Sequence, residues 1–173
     1  QGLADGSDPV RLTPDLVRDI HTRGGTILGT SRGSQDAATM IDTLLANKVD
    51  MLFVVGGDGT LRGASLLAAE AARRDLPIAV VGVPKTIDND IPWIDHSFGF
   101  ATAYARAAES IQAAHTEASS GVNGIGLVKL MGRHSGFIAA HATLVAQGVD
   151  FTLIPEVPFT LEGLLAGVRK KLA

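Results

Sequence analysis

Residues 84–90, Pro-Lys-Thr-Ile-Asp-Asn-Asp, put a cation, a hydroxyl and two carboxylates into one short stretch after an apolar run at 78–83. Each buried ionisable group would need a partner or water, so a packed core has no use for so many. A loop at the carboxyl end of a parallel strand is where α/β proteins hold their ligands. Asp88 and Asp90 stand at i and i+2, which in an extended segment points both side chains the same way, towards one substrate or metal. The same Asp-Asn-Asp also suits a solvated turn.

A second loop, Gly56-Gly57-Asp58-Gly59-Thr60, follows the apolar run 51–55 and leads into a helical pattern. Glycines let the backbone approach a ligand, and a helix N-terminus offers unpaired N–H groups to phosphate. Asp58 would repel phosphate unless a cation lay between them, so the loop implies Mg²⁺ bridging Asp58 and a polyphosphate. The plain alternative is a tight turn with an Asp cap, although two glycines before the cap exceed what capping needs.

Three further positions stand at predicted strand ends. Arg32, beside Gly33, can hold phosphate oxygens in bidentate fashion or lie solvated at the surface. In Met131-Gly132-Arg133-His134-Ser135-Gly136, the glycines permit close approach and Arg133 can set fixed positive charge near a transferring group. A cation is disfavoured at a helix start, which counts against Arg133 as a plain surface charge. His134 fits a structural role better than a ligand contact. Glu156 could accept hydrogen bonds from sugar hydroxyls, or be an exposed acid before a helix. Arg62 reads as exposed, and Arg169, Lys170 and Lys171 as a solvated helix end. His21, His96, His115 and His141 lack metal-ligand spacing.

The elements that must carry these loops alternate. Strands are expected at 26–29, 51–55, 78–83, 125–130 and 151–154. Helices are expected at 34–46, with Ser34 as cap, and at 59–74, 98–119, 135–147 and 161–172. Such alternation predicts an α/β fold, a mostly parallel sheet covered by helices. A boundary between subdomains is expected in the polar stretch 117–123.

The chain has 173 residues, 46% of them hydrophobic, with 20 glycines: enough for a sizeable core and many tight turns. A net charge of −3 argues against nucleic-acid or membrane-surface partners. With no cysteine there are no disulfides or thiolate metal sites, which fits a reducing, cytoplasmic setting. No run of 18 apolar residues and no signal-like start is found. The chain starts at Gln1 and ends within a helical pattern, so it is expected to be cut from something longer.

Taken in order, residues 56–60, 84–90, Met131-Gly132-Arg133 and Ile154-Pro155-Glu156 resemble the phosphofructokinase family over nearly the whole chain. Residues 26–33 and 124–133 look most like its plant-type, ATP-using branch. Gly-Gly-Asp-Gly-Thr alone is shared with NAD kinases and diacylglycerol kinases; the Thr-Ile-Asp-Asn-Asp and Met-Gly-Arg elements distinguish the phosphofructokinases. The resemblance implies a Rossmann-like three-layer sandwich of the phosphofructokinase fold, incomplete at both ends. Residues 1–118 would be its nucleotide-binding part and 119–173 the start of the sugar-phosphate part.

The implied reaction is Mg²⁺-dependent phosphorylation of fructose 6-phosphate by ATP in glycolysis. By position, Asp88 would be the general base, with Lys85, Thr86 and Arg133 at the transferring phosphoryl group. Arg32, Gly57, Asp58, Gly59, Thr60 and Gly63 would face the nucleotide, and Asp58 with Asp90 would hold Mg²⁺. Substrate contacts would come from Thr86, Asp88, Asp90, Met131, Gly132, Arg133 and Glu156. Glycine at 59 favours ATP, since pyrophosphate-using relatives typically carry Asp there. Lys85 resembles the pyrophosphate enzymes, yet plant-type ATP enzymes also pair Gly and Lys at these positions. The whole protein is expected to be a homo-oligomer, a dimer or tetramer. Two features depart from the family: no Gly-Gly-x-x-Pro-Gly loop precedes Arg11, and Ala101 stands where plant-type sequences tend to have Asp. They leave a non-catalytic sugar-phosphate- or nucleotide-binding relative as the alternative.

Overall fold

The computed structural model describes residues 2–30, 33 and 35–173. It begins with two single-turn helices, α1 (Gly2–Asp5) and α2 (Pro14–Val17), and a 3-10 turn over Ile20–Thr22. The strand expected at 26–29 is absent. Gly25 and Gly29 take φ of 83° and 69°, and the chain turns at 27–28 instead. Helix α3 (Ala37–Ala46) is capped by Asp36, whose carboxylate accepts the Thr39 N–H at 2.8 Å. That bond holds the Asp36 carboxyl below its usual range. Ser34, the expected cap, lies outside the described residues.

Strand β1 (Met51–Gly56), helix α4 (Asp58–Arg73), strand β2 (Ala79–Thr86), strand β3 (Phe98–Gly99) and helix α5 (Phe100–Ser120) follow. Helices α6 (Phe137–Ala146) and α7 (Leu161–Leu172) complete the series. The strands form one sheet in the order β1-β2-β3, with β2 parallel to β3, Lys85 opposite Phe98 and Thr86 opposite Gly99. Two expectations shift here. Strand β2 runs on through Thr86, so residues 84–86 of the charged stretch are strand end. Phe98 and Gly99 belong to β3, and α5 starts only after Gly99, whose φ of 103° suits glycine.

By contacts the chain divides into two compact units, Gln1–Val55 with Gly59–Val83, and Gly56–Asp58 with Pro84–Ala173. The first is built around Ile41, Leu44, Leu67 and Ala71, contributed by α3 and α4. Across these helices Arg74 reaches Asp42 at 2.5 Å and Glu70 at 2.6 Å. Glu70 also accepts from Arg73 at 2.7 Å. The bonds to Arg73 and then Arg74 bring the Glu70 carboxyl down to about 2.

The second unit packs α5 on α6 around Phe100, Ala107, Ile111, Ile138 and Ala142. Phe100 is buried, with the rings of Phe137 and Tyr104 edge-on to it. Burial of a Phe side chain contributes about 1.5–3 kcal/mol. The strands expected at 125–130 and 151–154 are not formed, because a strand is made by its ladder partner and neither segment has one among the described residues. Even so, 124–130 keeps a strand's alternation. A Cβ on Gly124 or Gly126 would strike the α5 backbone at Ala118 or Ala114, and Val128 and Leu130 pack on the core. Ile125 and Leu127, in between, are exposed. At the far end Lys171 is not simply solvated, since it pairs with Asp150 at 2.8 Å.

Candidate active site

The charged stretch is shaped by its own polar groups. Thr86 Oγ1 accepts the Asp88 N–H at 3.1 Å, which bends the chain just after β2 ends. Asn89 then takes φ of 53°, a left-handed conformation that Asn tolerates better than most residues. Residues 88–90 are therefore not extended, and the expected alignment of Asp88 with Asp90 through an i, i+2 repeat is corrected. Asp88 is half-buried and Asp90 exposed. Asp90 borders a shallow concavity of about 430 Å³, lined also by Asn89, Ile91, Pro92, Trp93, Ile94, Asp95 and Phe137.

Two of the other loops meet this stretch within the second unit, and a third, through Glu156, meets the Met-Gly-Arg turn. Gly57 comes so close that a Cβ there would stand 3.6 Å from the Thr86 Cβ. Ser135 Oγ donates to the Asp88 carbonyl at 2.8 Å, which joins the Met-Gly-Arg turn to the proposed base. That turn is closed by Ser135 N–H donating to the Gly132 carbonyl at 2.9 Å. Gly132 has φ of 140°, and a Cβ there would lie 2.3 Å from the Ser135 carbonyl oxygen. Only glycine fits. Arg133 at its tip has φ of 54° and is exposed, as are Met131 and His134. Glu156 Oε1 accepts the Gly136 N–H at 2.7 Å, so one carboxylate oxygen is engaged at the start of α6.

Asp58, Gly59 and Thr60 form the first turn of α4, all exposed. Gly59 and Gly63 have no neighbour among the described residues within 4 Å of where a Cβ would be. Lys85 is exposed at the end of β2. Arg32 lies outside the described residues. Among the described residues no three His, Cys, Asp or Glu side chains gather into a preformed metal cage. The hard oxygen donors Asp58 and Asp90 nonetheless suit Mg²⁺, which commonly takes one or two carboxylates and completes its shell with water and phosphate oxygens.

Residue types alone did not reveal Asn89, Ser97 and Ser135. Ser97 N–H donates to Asn89 Oδ1 at 2.8 Å, Ser97 Oγ donates to the Thr86 carbonyl at 2.7 Å, and Asn89 Nδ2 donates to the Asp95 carbonyl at 3.1 Å. The available signal was small polar residues inside or beside each motif.

The fold is α/β, and the loops 56–60 and 84–90 lie at the carboxyl ends of β1 and β2. The chain belongs to the phosphofructokinase family, whose model matches residues 1–173 in full. It is 58% identical over 170 residues to an ATP-dependent 6-phosphofructokinase of Amycolatopsis methanolica, covering 96% of this chain and 37% of that one. It is 56% identical over 154 residues to ATP-dependent 6-phosphofructokinase 7 of Arabidopsis thaliana, covering 89% of this chain and 32% of that one. The crystal structure of a pyrophosphate-dependent phosphofructokinase from Marinobacter aquaeolei matches 91% of this chain with a TM-score of 0.79 and 29% identity, over 42% of its own length. The chain thus spans about a third of the length of the curated relatives it matches. No helix among the described residues is long and apolar enough to cross a membrane.

Proposed function

We propose that this chain is part of an ATP-dependent 6-phosphofructokinase that converts fructose 6-phosphate to fructose 1,6-bisphosphate in glycolysis. The observation that carries the reading is the bond from Ser135 to Asp88, which ties the Thr-Ile-Asp-Asn-Asp stretch to the Met-Gly-Arg turn. The names of relatives at 50–58% identity support it.

In the proposed reaction the 1-hydroxyl oxygen of the sugar attacks the γ-phosphorus. The new O–P bond forms as the bond to the β,γ-bridging oxygen breaks, ADP leaves, and the hydroxyl proton passes to the Asp88 carboxylate. Lys85, Thr86 and Arg133 neutralise the charge on the transferring group, since phosphoryl transfer depends on alignment and charge more than on covalent help. Asp58 and Asp90 would hold Mg²⁺, which when bound neutralises the polyphosphate. Gly57, Gly59, Thr60, Gly63 and Arg32 are assigned to the nucleotide. Met131, Gly132 and Glu156 are assigned to the sugar phosphate, Glu156 through the oxygen that Gly136 does not take. Residues 1–118 would serve the nucleotide and 119–173 would begin the sugar-phosphate part, in a cytoplasmic homo-oligomer.

The donor follows from Gly59: the space beside it is open, where a carboxylate side chain would oppose an α-phosphate. Lys85 and the pyrophosphate-dependent relative favour the other donor. Full-length protein assayed with Mg²⁺ and fructose 6-phosphate decides both points. Fructose 1,6-bisphosphate formed from ATP supports the reading, formation from pyrophosphate alone reverses the donor, and no product from either refutes the reaction.

A further inference from the structure

Among the described residues the buried polar side chains are Asn89, Ser97 and Ser135, at 9%, 5% and 9% exposure. Burial of a polar group without a partner costs roughly 1–3 kcal/mol, and even a made hydrogen bond returns only about 1 kcal/mol net. An apolar residue would fill such a position at less risk. Yet all three side chains bond within, or onto, the stretch that carries Asp88. Ser97 donates to the Thr86 carbonyl at one end and Ser135 to the Asp88 carbonyl at the other. Asn89 Oδ1 accepts from the Ser97 N–H at 2.8 Å and lies 3.2 Å from the Ser97 hydroxyl, whose single proton is directed to the nearer Thr86 carbonyl.

The backbone here also takes two disfavoured turns. Asn89 and Arg133 both hold left-handed φ, at 53° and 54°. Such a conformation is disfavoured for a non-glycine residue, less for Asn than for Arg. We propose that Asn89, Ser97 and Ser135 are positioning residues, a buried polar bracket that fixes Asp88 and, through Ser135, the turn bearing Arg133. The proposal rests on the reading of Asp88 as general base. It explains why the polar atoms are buried at this one place: a reacting group misplaced by about 1 Å can lose roughly 10²-fold in rate.

The test is steady-state kinetics of full-length Ser135→Ala and Ser97→Ala, with Ser135→Thr and Ser97→Thr as hydroxyl-retaining controls. Each Ala variant is expected to lose about 10- to 100-fold in kcat, while KM for ATP stays close to wild type. Threonine at one or both positions should restore most of the rate. Wild-type kcat in both Ala variants overturns the proposal, as does a loss that threonine restores at neither position. Hydrogen exchange supplies a readout independent of turnover: Ser135→Ala should speed exchange of the amides of residues 87–90 and leave α5 unchanged. If wild-type protein makes no product from either donor, the proposed reaction fails, and exchange alone judges the bracket. Unaltered exchange at 87–90 overturns it.

Discussion

At the residue scale, Asp88 and Gly132 make different demands. Asp88 is half-buried, and its backbone is held by Thr86 and Ser135. As the proposed base, Asp88→Ser should lower kcat by roughly 10²–10⁴-fold with little change in sugar affinity. Steady-state kinetics on full-length protein checks this. A rise in KM at unchanged kcat would show that the carboxylate binds ground state and transition state alike. Gly132 acts through space rather than charge. In Gly132→Ala the new methyl meets the Ser135 carbonyl oxygen at 2.3 Å, on a backbone with φ of 140°. We expect a stability loss of about 1–3 kcal/mol, the usual range for strain at such a position, in urea melts. An unchanged midpoint would mean the turn can open without cost.

At the scale of elements, the contact between α3 and α4 is tied by charge. Glu70 is bonded to Arg73 and Arg74, and Arg74 continues to Asp42. Because these bonds lower the folded carboxyl from 4.5 to about 2, the ionised form is the one that stabilises the fold. Its contribution is present in full above pH 4.5 and is lost as pH falls towards 2. Urea midpoints of wild type should therefore drop across that window more steeply than those of Glu70→Gln. Parallel curves would show that the cluster is too solvated to matter.

The elements also show what periodicity can and cannot settle. The helices at α4, α6 and α7 were legible within a residue or two, since α4 and α7 each carry an apolar stripe and α6 is apolar almost all round. The strand predicted at 125–130 was legible only in its alternation. Gly124, Gly126, Val128 and Leu130 face α5, as period two requires, but no partner supplies a ladder. Pattern specifies the face a segment buries; pairing depends on a neighbour distant in sequence.

At the scale of the molecule, two cores are separate. Leu44 and its neighbours in α3 and α4 share no residue with the cluster around Phe100 and Ile138. Leu44→Ala and Ile138→Ala should each cost about 2–5 kcal/mol. Urea denaturation of each variant measures this, and a cost well below that range would mean the site collapses onto the space left.

The sequence by itself determined the α/β class, the family and the residue types in the charged loops, because those depend on local pattern and on side chains that chemistry restricts. Arg133, Asp58 and Asp88 stood out for that reason. Tertiary structure alone decided which loops touch. Ser135 meets Asp88 across 47 residues of chain, Glu156 is drawn to Gly136, and Asn89 turns left-handed so that the two carboxylates do not align by simple alternation. A hydrogen bond between distant residues leaves no period in the sequence, and a serine looks the same whether it faces water or braces a neighbouring loop.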